Sequence, residues 1–253
     1  MSTPLPVLVS RDVHLTSVVG IDTTLWALIL EIGGQLATAD WLLVGVQMVA
    51  LHGVIAGRQP VRTTEDIDMV ANVLARRHAI GACVDAIESA GLTASPSISG
   101  DRLHRFERHG TRVDLVVADH LPKGLRPKIK GRTAVSIVGA QRAIDRAHIV
   151  AVVLGDQRAI VPLPDILGAI VLKARAAVAD SRDPSRHISD IAFLCSCPDN
   201  PIALAATIDA KERRYLNKVH LPIDTRAAPW VFLDPADRWK ALEAWRLLSE
   251  PPA

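Results

Sequence analysis

The chain has 253 residues, enough to bury a sizeable core in one large domain or two small ones. Hydrophobic residues make up 49% of the sequence and charged residues 22%, a balance that excludes a disordered or fibrous protein. The net charge of +2 is close to neutral, which leaves the distribution of charge along the chain as the informative property.

The apolar stretches of this sequence are too short or too interrupted to cross a membrane, and the longest are Trp41 to Leu51 and Ile166 to Leu172. The N-terminus has prolines and no basic region followed by an apolar run, so no signal peptide is predicted and a cytoplasmic location is expected. The three cysteines, Cys83, Cys195 and Cys197, are too few and too poorly spaced for a disulfide framework or a zinc site.

The first elements alternate between helix and strand. Asp22 or Thr23 is suited to cap a helix, and the apolar run Trp41 to Val44 predicts a buried strand. Gly45 ends this strand, Val46 to His52 is predicted as a helix, and Gly53 to Pro60 as a loop. A second strand then carries Asp66.

Apolar spacing from Ala71 to Ala90 predicts a helix that Gly91 terminates. The runs Arg102 to Arg108 and Arg112 to Val117 flank His109-Gly110, which predicts a β-hairpin. Together these elements predict a mixed sheet with helices packed against it.

Short strands are expected to close the first lobe, and helices to follow them. The strands are Ala134 to Val138, Ile149 to Leu154 and Ala159 to Leu163; the helices are Pro164 to Ala179 with proline in the first turn, Arg186 to Cys195, Ile202 to Ile208, Asp209 to Lys218, and Pro235 to Leu248. The predicted fold class is therefore α+β, with a mixed-sheet lobe over residues 1–163 and a mostly helical lobe over residues 164–253 that completes a cleft.

The segment from Asp101 to Arg132 is the most basic part of the chain, with nine Arg and Lys residues against four acidic ones. Such a segment can attract the phosphates of a nucleotide or an RNA. A solvated, arginine-rich surface explains the same composition nearly as well.

The pair Asp66-Ile67-Asp68 is the strongest chemical feature of the sequence. Side chains alternate between the two faces of a strand, so Asp66 and Asp68 point the same way, with Ile67 on the other face. Two carboxylates on one face can share one or two divalent cations. Because this triplet is common by chance, its context has to support it.

The context consists of Gly45 and a third carboxylate. A helix that starts at a glycine offers backbone N–H groups and a positive dipole to phosphates, which Mg²⁺ held by the aspartates would also contact. Asp114 points away from the apolar face of its own strand, where it would complete a metal site or accept a proton from an attacking hydroxyl.

Several motifs resemble the nucleotidyltransferase superfold of DNA polymerase β, and within it the AbiEii-type toxins of bacterial toxin–antitoxin systems. The resemblance covers about Leu42 to Leu194, and its motifs are moderately specific. It rests on Leu51-His52-Gly53, on Arg62-Thr63-Thr64-Glu65-Asp66-Ile67-Asp68, on Ile170-Val171-Leu172-Lys173-Ala174 and on His187-Ile188-Ser189-Asp190-Ile191.

The resemblance implies transfer of a nucleoside monophosphate from an NTP to an acceptor such as a tRNA 3′ end, with an antitoxin protein as partner. It implies a Mg²⁺ or Mn²⁺ site. The implied metal ligands are Asp66, Asp68 and Asp114; the implied nucleotide-binding residues are Gly45, Val46, Thr64 and Lys173; and the implied catalytic residues are the three aspartates with Lys173 and Asp190.

Three alternatives stay open at this point. The acceptor could be a protein side chain or a small molecule such as an aminoglycoside. Val46 stands where the family carries glycine or serine, which is compatible with a catalytically inactive relative that binds nucleotide or RNA. A metal-dependent phosphodiesterase would use a similar carboxylate cluster.

Overall fold

The structure is a computed structural model that describes residues 4–60, 62, 64–95 and 101–250. Thr63, part of the motif before Asp66, lies outside the described residues. Across the described ranges a 3₁₀ turn covers Trp230–Phe232, and the α-helices are α1 (Thr23–Gly33), α2 (Gly45–Ile55), α3 (Ala79–Ser89), α4 (Ala140–Asp145), α5 (Ile166–Ala179), α6 (Ser185–Ser196), α7 (Pro201–Ala205), α8 (Ala210–Leu216) and α9 (Pro235–Ser249).

The strands precede most of the helices along the chain. They are β1 (Val13–His14), β2 (Trp41–Val44), β3 (Asp66–Ala71), β4 (Thr93–Ala94), β5 (Arg102–Leu103), β6 (Arg105–Arg108), β7 (Thr111–Ala118), β8 (Lys128–Ile129), β9 (Arg132–Ala134), β10 (Ser136–Ile137), β11 (Ala147–Leu154) and β12 (Gln157–Pro164).

The central sheet has the strand order β2-β3-β7-β6-β4, with β10 paired to β7. Strands β3 and β7 are parallel, whereas β2 runs antiparallel to β3, and β6 antiparallel to β7. Two smaller sheets have the orders β1-β11-β12 and β5-β9-β8. The predicted α+β class with mixed sheets is confirmed.

The first elements form for the reasons that the sequence suggests. The Asp22 side chain accepts hydrogen bonds from the backbone N–H groups of Thr24 (2.9 Å) and Leu25 (3.2 Å), which caps α1. All of β2 is buried, and α2 begins directly after it at Gly45, whose φ of +72° suits glycine.

Two boundaries in the first half were predicted wrongly. Strand β3 continues to Ala71, so the helix expected from Ala71 begins only at Ala79. The apolar residues at 69–71 pack in the sheet, where a continuous apolar run fits a strand buried on both faces. Helix α2 also continues to Ile55, three residues into the segment predicted as a loop.

Other differences concern the later elements. Pro164 ends β12 and is not in the first turn of α5, which is capped instead by Asp165 through Gly168 N–H at 2.7 Å. Strands β11 and β12, which were expected to close the first lobe, form a separate sheet with β1. Helix α4 was not predicted. The division at residues 163 and 164 stays a prediction.

Buried polar contacts connect the strand-rich part to the helices that follow it. Glu212 is fully buried and accepts hydrogen bonds from Arg142 Nε (3.0 Å) and Arg146 Nε (2.6 Å). His52 on α2 is also buried, and its Nε2 lies 3.0 Å from the Pro164 carbonyl oxygen. Among the described residues, no helix combines the length and apolar character needed to span a membrane.

The buried position of His52 predicts a pH dependence of stability. Burial lowers the pKa of His52 from its usual 6.5 to about 4, so the unfolded chain binds a proton that the folded chain excludes between these values. The contribution of His52 to the free energy of unfolding is therefore at its maximum above pH 6.5. It decreases by up to about 3 kcal/mol as the pH falls to 4.

Urea unfolding at several pH values would measure this effect. The free energy of unfolding of His52→Gln should fall less steeply between pH 6.5 and 4 than that of the unsubstituted protein. His220→Gln, at an exposed position, serves as the control and should leave the slope unchanged. Parallel curves for all three proteins would contradict the prediction.

Candidate active site

Three aspartates lie on one face of two neighbouring strands. Asp68 on β3 is the register partner of Asp114 on β7, and Asp66 is the partner of Arg112. Ile67 and Met69 are buried on the opposite face of β3. The alternation expected from the sequence therefore holds, and parallel pairing brings the third carboxylate beside the first two.

Gly45 lies directly against the Asp68 carboxylate. A Cβ atom at Gly45 would overlap Asp68 Oδ2 and lie 2.7 Å from Asp68 Cγ, and its φ of +72° is unfavourable for other residues. Strand β2 ends where α2 starts, and its Val44 pairs with Asp68. The N-terminus of α2 is thus held next to the carboxylates, and only glycine fits at the point of contact.

Negative charge accumulates around Asp68. The pKa of Asp68 is raised to about 6, mainly by burial and in part by Asp114 and Asp66, while Lys173 and Arg186 act in the opposite direction. The three carboxylates therefore repel one another in a poorly solvated place. A cation bound among them would relieve this repulsion.

Asp66 has an oxygen without a hydrogen-bond donor. Its Oδ1 is buried and unpaired, and the nearest cation, Arg112 Nη1, is 3.7 Å away. The backbone N–H of Asp66 donates to Thr64 Oγ1 at 3.2 Å, which places the predicted nucleotide-binding Thr64 at the start of β3. Buried polar atoms are rarely left without a partner, so this oxygen is suited to a ligand.

Asp114 is paired with an arginine. Arg105 Nε and Nη2 donate to Asp114 Oδ1 and Oδ2, both at 2.8 Å, and His104 Nε2 lies 4.0 Å from Oδ2. This contact raises the pKa of Arg105. Both Asp114 oxygens therefore already accept hydrogen bonds.

Lys173 and Asp190 form a buried ionic cluster with Arg62. Lys173 Nζ is 2.7 Å from Asp190 Oδ2, and Arg62 Nε and Nη2 each donate to Asp190 at 2.9 Å. Burial acts to raise the pKa of Asp190, but Lys173 and Arg62 outweigh it and the pKa is lowered. Asp190 thus stays ionised and holds Lys173 in place.

The structure brings most of the predicted site residues together. Asp66, Asp68, Asp114 and Gly45 are adjacent, and Lys173 lies close enough to Asp68 to lower its pKa. Asp190 pairs with Lys173 and Arg62. Val46, in the first turn of α2, is 9% exposed.

Two arginines make contacts at the site that were not predicted from the sequence. Arg62 belongs to the motif before Asp66, but it pairs with Asp190, 128 positions away along the chain, which no local pattern indicates. Arg105 was counted only as part of the basic segment. The two-residue turn at His109-Gly110, with both φ angles positive, fixes the register in which Arg105 faces Asp114.

The site provides some of the ligands that a divalent cation needs. Asp66 offers an unpaired buried oxygen, and Asp68 lies beside it on the same face. Asp114 is held by Arg105, and among the described residues no group of three or more His, Cys, Asp or Glu side chains is arranged to hold a metal ion. The arrangement fits an ion held by Asp66 and Asp68.

The contact between Gly45 and Asp68 predicts a large effect of a single methyl group. Gly45→Ala should lower the free energy of unfolding by about 1 to 3 kcal/mol more than Gly57→Ala, because it adds steric overlap to backbone strain. Gly57 is a matched control, since its φ is +69° and a Cβ there would meet nothing within 4 Å. Urea unfolding measures both, and equal losses would contradict the prediction.

The buried cluster predicts unequal effects of removing its members. Asp190→Asn should cost about 3 to 5 kcal/mol in the free energy of unfolding, because it leaves the Lys173 ammonium buried without its counter-ion. Lys173→Met should cost less, since Arg62 still pairs with Asp190. Chemical unfolding of the two variants tests the order, and a larger loss for Lys173→Met would refute this account of the cluster.

Comparison with known proteins gives two structural likenesses. An antigenic nucleotidyltransferase-like protein from Paracoccidioides brasiliensis has a TM-score of 0.47 and 14% sequence identity, covering 88% of this chain and 92% of that protein. The antibiotic-resistance factor ANT(2″)-Ia has a TM-score of 0.37 and 20% identity, covering 70% of this chain and 85% of that one. No protein-family model and no curated protein matches the sequence. Both TM-scores are below 0.5, so the function of the site has to be argued from its geometry.

Proposed function

We propose that this protein is a nucleotidyltransferase that moves a nucleoside monophosphate from an NTP to an acceptor. The observation that carries the proposal is the contact of Gly45, at the N-terminus of α2, with Asp68 in the aspartate row. It places free backbone N–H groups, which bind phosphates, beside carboxylates, which bind the cation that accompanies phosphates.

Each residue of the site has a separate role in the proposed reaction. The first turn of α2 from Gly45 would bind the NTP phosphates through its N–H groups, and Asp66 and Asp68 would hold Mg²⁺ or Mn²⁺. When bound, the ion would neutralise phosphate charge and orient the phosphates. Lys173, held by Asp190, would add positive charge to the same place.

In the proposed reaction an acceptor hydroxyl oxygen forms a bond to the α-phosphorus, and the bond to the β-phosphate oxygen breaks to release pyrophosphate. The hydroxyl proton passes to a carboxylate, for which Asp114 is the candidate. Each Asp114 oxygen accepts one hydrogen bond from Arg105 and keeps a further lone pair that can accept this proton.

The acceptor that we propose is the 3′ end of tRNA, in a toxin whose partner is an antitoxin protein. Exposed cations support an RNA acceptor: Arg102, Lys123, Arg126, Lys128 and Arg132 form no ion pair within the part of the chain that the structure describes. Arg102, Lys128 and Arg132 lie in the small sheet β5-β9-β8, and β5 leads within two residues to Arg105. Such a surface can bind a nucleic-acid backbone next to the aspartates.

The proposal predicts metal-dependent labelling that needs the aspartates. With α-labelled NTPs, Mg²⁺ and a mixture of tRNA and cell lysate, the protein should label an acceptor, and Asp68→Asn should reduce the rate more than about 100-fold, beyond the range typical of residues behind the metal ligands. Asp85→Asn, an exposed carboxylate on α3, is the control and should retain full activity. Gel separation of RNA from protein identifies the acceptor.

Each alternative gives a different result in this assay. Label on protein alone would replace the tRNA acceptor with a protein side chain. Release of free nucleoside monophosphate without a labelled product would indicate a phosphodiesterase. No turnover with any NTP, together with unchanged growth arrest on expression of Asp68→Asn, would overturn the proposed reaction in favour of a binding module.

A further inference from the structure

A groove lies between α3 and the loop that precedes β8. One wall comes from α3 and the turn before it, the other from residues 125–130, and the volume between them is about 620 Å³. Asp66 begins β3, whereas Val73, which lines the groove, follows the opposite end of that strand. Because six residues of strand span about 17 Å, the groove is separate from the aspartate row.

Exposed leucines lie on both walls of the groove. Leu74 is 46% exposed and Leu125 is 42% exposed. The half-buried Ile80 and Pro127 and the buried Val84 extend the apolar lining between them. Apolar side chains that stay exposed in a concave place are typical of surfaces that bind a ligand or a partner. The groove therefore offers a site for apolar side chains.

The rim of the groove is mainly basic. Arg77, Lys128 and Lys130 line it, against a single acidic residue, Asp85. Lys130 pairs with Glu88, whereas Arg77 and Lys128 form no ion pair with any residue that the structure describes. Two cations are thus left for the groups of a ligand. A ligand that carries carboxylates beside apolar side chains complements both the rim and the lining.

We propose that this groove is the docking site for an acidic, amphipathic segment of a protein partner. The two exposed leucines would contact apolar side chains of the segment, and Arg77 and Lys128 would pair with its carboxylates. The proposal goes beyond the proposed reaction, because the groove lies at the other end of β3 from the aspartates.

The lining favours a polypeptide over single-stranded RNA. Proteins hold unpaired bases by stacking them on aromatic side chains, and the described residues that line the groove include no Phe, Tyr or Trp. The aliphatic surface of Leu74 and Leu125 instead matches the aliphatic side chains of a protein. Arg102 and Arg132, which belong to the proposed RNA surface, lie on β5 and β9 and do not line the groove.

Docking of an acidic segment would also weaken RNA binding. Lys128 lines the groove and is one of the exposed cations proposed to bind RNA. Lys123 and Arg126 flank Leu125 in the same loop. Carboxylates seated against these cations would neutralise part of the surface that attracts RNA phosphates. This consequence rests on the proposed function, whereas docking itself does not, and it would let the partner limit access of the acceptor.

Binding of a fluorescein-labelled peptide of alternating glutamate and leucine, followed by anisotropy, tests the docking site. Leu74→Ser and Leu125→Ser should each weaken binding at least about fivefold, because each removes apolar surface that the peptide would bury. Both leucines are exposed, so the variants should fold. Val138→Ser is the matched control, since Val138 is 41% exposed outside the groove, and it should bind the peptide as the unsubstituted protein does.

A second peptide, with lysine in place of glutamate, tests the charge and should bind at least about tenfold more weakly. Absence of binding of the first peptide, equal binding of both peptides, or binding that neither leucine substitution weakens would overturn the proposal. Binding of oligouridine that depends on the two leucines would replace the polypeptide with RNA. A dimer that Leu74→Ser dissociates would assign the groove to a second copy of this chain.

The effect on RNA is measured separately. Saturation with the acidic peptide should weaken binding of tRNA at least about threefold in a filter-binding assay, and unchanged tRNA binding would overturn the competition. The peptide titrations contain neither NTP nor metal ion. Failure of the protein to label any acceptor would therefore overturn the proposed reaction and leave the docking result as measured.

Discussion

The repulsion among Asp66, Asp68 and Asp114 is the constraint on which the arrangement of this protein depends. Strand pairing forces these side chains onto one face, and burial makes their shared charge expensive, as the pKa of about 6 for Asp68 shows. Without compensating contacts, this buried charge would lower the stability of the fold. The neighbouring segments supply cations that offset this charge, and they leave Asp66 Oδ1 without a donor.

This compensation comes from separate parts of the chain. Arg105 reaches Asp114 from the adjacent strand, α2 begins against Asp68, and Lys173 approaches from α5. Lys173 is itself buried, so it needs Asp190 on α6, which in turn pairs with Arg62 just before β3. The helices after β12 are thus connected electrostatically to the sheet through Lys173.

The sequence revealed those parts of the site that follow from local geometry. Strand alternation placed Asp66 and Asp68 together, and the strand that ends at Gly45 predicted the start of α2. The same kind of reasoning would have found Arg105, because a two-residue turn fixes which residues face each other. Arg62 and Asp190 could not be paired in advance, since 128 residues separate them and tertiary packing alone brings them together. Ala71 was assigned to the helix that follows, and not to β3, because short apolar runs fit either periodicity.

The choice between an active enzyme and an inactive relative now depends on a different residue than the sequence suggested. Val46 departs from the glycine or serine of the family that the sequence resembles, but it is only 9% exposed, so little of its side chain can crowd a ligand, and it has a backbone N–H. Arg105 has the larger consequence, because it donates a hydrogen bond to each oxygen of Asp114, the proposed base. Each of these oxygens keeps a further lone pair, so Asp114 can accept a proton while it is paired with Arg105. The Arg105–Asp114 pair is therefore compatible with an active enzyme.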